Sequence, residues 1–261
     1  MFSHFITLCI FSALFLHCIF TPAYAADDAV INAVINAGGK RQMTAYLGEI
    51  PGLINADGTG PFVELVKAID RADPEVEIEI KVFPLSRAML GVTLGRADFG
   101  LPAIRNNAAL DALPYRFSSV SFGQVTHVLY TNVDKPITKA MLFDQQQTGR
   151  VFTVEAIPDY MPIPAEPSIT IKRSLLKLSR GRIDAFVWAQ EEADMMLKQL
   201  KLHNIHREDF GYFEDVFVIA KGPEGDVVDA YLTRMIELLR QTGELSQIYQ
   251  TIHQSYNDWQ P

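Results

Sequence analysis

From Val76 to Phe83, the apolar Val76, Ile78, Ile80 and Val82 alternate with Glu77, Glu79 and Lys81. That period of two predicts a half-buried strand. Before it, PFVELVKAIDRA (61–72) places Phe62, Leu65, Val66 and Ile69 at helical spacing, with Pro61 suited to a first helical turn. Arg41 to Leu47 (RQMTAYL) reads as an earlier strand. The stretch from Gly48 to Gly60 is rich in turn signals, including Pro51-Gly52 and Asp57-Gly58. Leu85 to Leu94 reads as a helix and Phe99 to Ile104 as a strand. The order β-α-β-α-β predicts an open α/β sheet.

The second half repeats a phrase of the first. Residues 88–98 read AMLGVTLGRAD and residues 174–184 read SLLKLSRGRID. Each is an apolar helical stretch, then Gly-Arg-x-Asp, then an apolar run. Gly95 and Gly181 suit the left-handed turn that ends a helix. Asp98 and Asp184 can accept from backbone amides before the next strand. Their separation is too long for a solenoid repeat, and predicts one unit in each of two lobes. Between them, Ser121 to Tyr130 reads as a strand crossing into the second lobe. That lobe is expected to hold strands at 151–155 and 169–172, a Pro-rich loop between them, and a helix from Glu191 to Leu202. Asp215 to Ala220 reads as a strand ended by Lys221-Gly222-Pro223, where the chain is expected to return. The rest reads as helix, broken at Gly243.

The first 25 residues change the picture of location. They contain no Asp, Glu, Lys or Arg, and an apolar run leads to Ala23-Tyr24-Ala25. This is the A-x-A pattern of a cleavable export signal; an uncleaved anchor is the alternative, for which the run is short. Both cysteines, Cys9 and Cys18, lie in this segment, so no disulfide or thiol chemistry is expected beyond it. A net charge of −8 argues against a nucleic-acid partner.

Four stretches carry a resemblance. They are Gly60-Pro61-Phe62-Val63-Glu64-Leu65, the two Gly-Arg-x-Asp units, VFVIAKG (216–222) and LLRQTGELSQIY (238–249). In this order they resemble the periplasmic solute-binding proteins of amino-acid-type ABC transporters. The resemblance implies a two-lobed α/β fold of type II: two open sheets flanked by helices and joined by two crossover strands. On that basis 1–25 is the signal peptide, 26–130 with 220–261 is lobe 1, and 131–219 is lobe 2. It implies a monomer that binds a small polar solute between the lobes, for an inner-membrane permease, with no cofactor, no metal and no catalysis. A ligand-binding sensor is the alternative, and an enzyme on the same scaffold is a further one. The family's carboxylate-binding Arg, counted from Asp98, falls on Leu110, and its amine-binding acid, counted from Asp184, on Ala189. Both halves of the amino-acid signature are thus displaced or missing.

Candidate ligand residues follow the ends of strands, where α/β sheets bind ligands. Tyr46 and Glu49 close the first strand, and Arg87 follows the strand ending at Phe83. Arg105 follows the strand after Asp98 and offers a forked donor for an anion. Trp188 ends the strand after Asp184, where a ring can stack on a ligand; Gln190 and Glu191 follow it. Tyr160 lies in the Pro-rich loop. Each also has a plain structural reading, as a packed ring, a surface ion pair or a first-turn charge. His203 and His206 have chelating spacing but no evident third ligand, so they read as non-ligating.

Overall fold

The computed structural model describes residues 39–105, 112–149, 151–158 and 161–261. The signal segment 1–25 and Tyr160 lie outside the described residues. The expected first half is present: β1 (Arg41–Gly48), α1 (Pro61–Ala72), β2 (Val76–Phe83), α2 (Leu85–Thr93) and β3 (Phe99–Ile104). β4 (Arg116–Asn132) is followed by α3 (Lys139–Thr148), β5 (Val154–Ala156), β6 (Glu166–Pro167), α4 (Ile171–Ser179), β7 (Ala185–Ala189) and α5 (Gln190–Leu200). The chain ends with β8 (Ile205–Ile219), α6 (Pro223–Gln241) and α7 (Glu244–Tyr249).

The strands form one eight-stranded sheet in the order β2-β1-β3-β8-β4-β7-β5-β6. The two sheets expected from the sequence are therefore two halves of a single ladder. β4 and β8 are long and pair antiparallel from Arg116↔Ile219 to Asn132↔Ile205, with irregularities between Phe117 and Ser121, Ser121 and Gly123, and His127 and Val128, and this ladder joins one half to the other. The β2-β1-β3 half is parallel within itself, as are β7, β5 and β6.

The repeated phrase has the same geometry twice. Gly95 and Gly181 have φ of 65° and 64°, a region that an L side chain enters only at a cost. Arg96 N donates to Gly91 O and Arg182 N to Lys177 O, each at 2.9 Å. Asp98 Oδ2 accepts from Thr44 N at 2.6 Å, and Asp184 Oδ2 accepts from Thr153 N at 2.9 Å. Each carboxylate reaches the neighbouring strand segment rather than its own turn. The units stand on opposite flanks of the β8–β4 pair.

Apolar burial follows the predicted stripes. Phe62, Leu65, Val66 and Ile69 of α1 share a core with β1, α6 and α7. Leu175, Leu178, Ala193 and Leu197 of α4 and α5 pack on Val128, Tyr130 and Phe186. Three expectations are corrected. Residues 169–172 are not a strand: the alternating I-T-I-K has the right period, but Thr170 accepts from Arg173 N at 3.2 Å and starts α4. β8 begins at Ile205, because the polar IHREDFGYF stretch gains ladder partners on β4. The terminal helix stops at Tyr249, and the chain beyond Ile252 has no regular structure.

Candidate ligand-binding site

The carboxyl ends of β1, β3, β5 and β7 face a common cavity of about 430 Å³, within the range of small-molecule sites. One half contributes Glu49-Ile50-Pro51 after β1, Phe62, Leu85, and Pro102 to Ile104 of β3. The other contributes Ile157, residues 168–172 leading into α4, Trp188 and Ala189 of β7, and Glu192 and Met196 of α5. Val125 and His127 of β4, Asp215 of β8, and His253 complete the wall. Most of this surface is aliphatic or aromatic. Ile169, at the entrance, is 65% exposed.

The polar wall is a network centred on His253. Its Nδ1 lies 3.1 Å from Glu191 Oε2 and its Nε2 lies 3.2 Å from Asp215 Oδ2. Burial alone would push this imidazole down. Hydrogen bonds and charge from Asp215 and Glu191 outweigh it and raise the pKa to about 9. His253 is therefore a cation at neutral pH, with both nitrogens committed. Asp215 Oδ2 also accepts from the Tyr249 hydroxyl at 2.5 Å. Burial, reinforced by that carboxylate, pushes the phenol well up. Tyr249 can approach because residue 123 of β4 is glycine: a Cβ there would lie 2.0 Å from the ring.

Two other groups respond to the same wall. Burial, aided by the His253 charge, pushes His127 down to about 3, so it is neutral. Burial raises Glu192 to about 6, assisted by Glu191 and Asp215 and opposed by the hydrogen bond from Trp188 and the charge on His253. Trp188 Nε1 donates to Glu192 Oε2 at 2.7 Å. No described residue donates to the other oxygen.

Of the sequence candidates, Glu49 and Trp188 line the cavity. Tyr46 does not: its ring packs on Phe83 at 4.7 Å and lies over Gly91 of α2. The Arg87 guanidinium sits 4.6 Å over the Phe83 ring, outside the lining. Arg105, expected to face the cleft, is corrected: Nε lies 3.0 Å from Glu214 Oε2, and Nη2 donates to the carbonyls of Ser118 and Ser119 at 2.9 and 3.1 Å. It ties β3 to β4 and β8. Gln190 and Glu191 hold the C-terminal tail: Glu191 Oε1 accepts from Gln254 N at 2.8 Å, and Gln190 Nε2 donates to Ser255 O at 3.3 Å.

The tail itself is anchored by Arg207, which is 1% exposed. Arg207 donates to both oxygens of Asp194 at 2.7 and 2.6 Å, to Asn257 O at 3.2 Å, and to the Trp259 carbonyl. Its guanidinium lies 5.1 Å from the Trp259 ring centroid. The last residues are thus fixed on α5 and β8. Sequence reasoning missed His127, Glu192, Asp215 and His253. Asp215, a carboxylate opening the apolar run VFVIA, was the one visible signal among them. Among the described residues no group of three or more His, Cys, Asp or Glu is placed to hold a metal ion.

No protein-family model matches the chain, and no curated protein matches its sequence. Solved structures do match. A histidine kinase sensor domain with similarity to periplasmic binding proteins superposes with a TM-score of 0.61 at 17% identity, over 80% of this chain and 95% of that one. The chain has the type II periplasmic-binding-protein fold. The substrate-binding protein of an amino acid ABC transporter shares this binding-protein fold with a TM-score of 0.58 at 19% identity, over 79% and 96% of the two chains. An ancestral amino-acid-binding protein, a precursor of cyclohexadienyl dehydratase, matches with a TM-score of 0.58 at 13% identity, over 82% and 95%. Identities this low carry the fold and not the ligand.

Proposed function

We propose that this chain captures a small solute in the cavity between the two halves of its sheet, in the periplasm after removal of residues 1–25, and delivers it to an inner-membrane permease as a monomer. The observation that carries the reading is the convergence of four strand ends, from both flanks of the β8–β4 pair, on one cavity. Clefts of this kind bind ligands and close around them by hinge motion. The lobes of that motion follow the expected bounds, 26–130 with 220–261 and 131–219, except that the tail past Ile252 is held by Gln190, Glu191 and Arg207 of the second. No helix among the described residues is long and apolar enough to cross a membrane.

Capture rather than turnover fits the lining. Ser168 Oγ is held 2.7 Å from Ser174 Oγ, which donates to Glu155 Oε2 at 2.6 Å, and Thr170 caps α4, so both lining hydroxyls have structural partners. A ligand-binding sensor is the second reading, favoured by the match to the histidine kinase sensor domain. A thermal-shift screen of amino acids, amines, organic acids and sugars tests capture itself. A ligand at a hundred times its dissociation constant adds about 2.7 kcal/mol. The absence of any shift across all four sets overturns the reading.

A further inference from the structure

We infer that the solute is an organic amine with an apolar body and no carboxylate, its ammonium received by Glu192 beside the Trp188 ring. The inference rests on the solute-binding reading and narrows it. It is carried by the donor and acceptor inventory of the cavity. A ligand carboxylate calls for a guanidinium fork or a free cation, and no arginine occurs among the described lining residues. Arg105 and Arg87 are engaged elsewhere. His253 carries a charge, but both its nitrogens are spent on Glu191 and Asp215. Lys172 lines the cavity at an exposed position in the first turn of α4, where solvent and salt screen its charge.

The acidic side is arranged in the opposite way. Asp215 has a counter-charge in His253 and accepts from Tyr249, both at Oδ2. Glu192 accepts one hydrogen bond, from the Trp188 indole, through one oxygen, and its second oxygen has no donor among the described residues. Burial raises this carboxyl to about 6, so a cation beside it favours its charged form. An ammonium supplies the missing donor and the missing charge together. The remaining walls, Ile50, Leu85, Ile104, Ile157 and Met196, accept hydrocarbon and offer it no side-chain hydrogen bond.

The test uses matched pairs in calorimetry on the exported protein: phenethylamine against phenylalanine, and 3-methylbutylamine against leucine. The amine of a pair is expected to bind at least tenfold more tightly than its amino acid. Between pH 5 and 7 its affinity should rise roughly tenfold as Glu192 ionises. Glu191 of α5, Asp215 of β8 and His253 of the tail face Glu192; His253 keeps its charge over that range, and His127 on β4 stays neutral. Glu192→Gln should lower amine affinity at least tenfold and abolish the pH dependence. Its urea midpoint at pH 7 should equal or exceed the wild type's, since a buried charge is removed. An amino acid that outbinds its amine overturns the inference and leaves solute capture standing. So does an amine whose affinity on the wild type is flat from pH 5 to 7, a result that needs no variant to fold. Silence from amines, amino acids, organic acids and sugars alike overturns both.

Discussion

The His253 bridge couples folding stability to pH. The imidazole is 5% exposed and lies between Asp215 and Glu191. Its pKa is raised to about 9 from the ordinary 6.5. At about 1.36 kcal/mol per pH unit, that difference is worth about 3 kcal/mol of folding stability. A group whose pKa is raised on folding contributes fully below its unfolded value. The contribution should therefore be complete below pH 6.5 and lost as pH climbs through 9. Neighbouring groups leave this window clear. Glu192, raised from 4.5 to about 6, lowers stability as pH rises between those values and adds nothing further above them. His127, lowered to about 3, costs stability only as pH falls below 6.5. Tyr249 is pushed well above its ordinary value, so its linkage begins only near pH 10. Urea unfolding at pH 6.5, 7.5, 8.5 and 9.5 should show a loss of about 3 kcal/mol in the wild type. In His253→Gln the same series should be close to flat, and the two proteins should converge at the alkaline end. A wild type with no slope, or a variant with the same slope, would refute the assignment of His253 as a buried cation.

Three further outcomes are expected. Asp98→Ala and Asp184→Ala should each cost about 1.5–3 kcal/mol, because each removes a charge-assisted bond to a strand amide. In chemical denaturation their effects should add, since the two lie on opposite flanks of the sheet. Arg207→Ala should cost about 3–5 kcal/mol, because it strands the Asp194 carboxylate in the core and frees the tail. Faster proteolysis near the C-terminus should accompany that loss, and an unchanged cleavage rate would show that Arg207 does not hold the tail. Trp188 emission should shift with a midpoint near pH 6 as Glu192 ionises against its indole N–H, and Glu192→Gln should remove that shift.

Local order was legible because it is written in short-range chemistry. The alternation in VEIEIKVF, the stripe in PFVELVKAIDRA and the two Gly-Arg-x-Asp turns each depend on residues a few positions apart, and all were found where the pattern put them. The resemblance of the ordered motifs then led to the fold. Glu49 and Trp188 were reachable by the same route, since the end of a strand can be read from its own residues.

Other contacts join residues too far apart in the chain for any local pattern to pair them. Arg105 follows β3 as expected, but the length of β8 brings Glu214 beside it and turns it from ligand toward ladder. Gln190 and Glu191 open α5 as expected, yet the tail reaches them first. His253 looked like one more helical residue until the end of α7 released it to bridge α5 and β8. What the sequence by itself determined was which segments form helix or strand and where they turn, because period and turn chemistry are local. Only the tertiary structure decided which charges are consumed and which remain for a ligand, because desolvation and pairing depend on neighbours that the fold brings together.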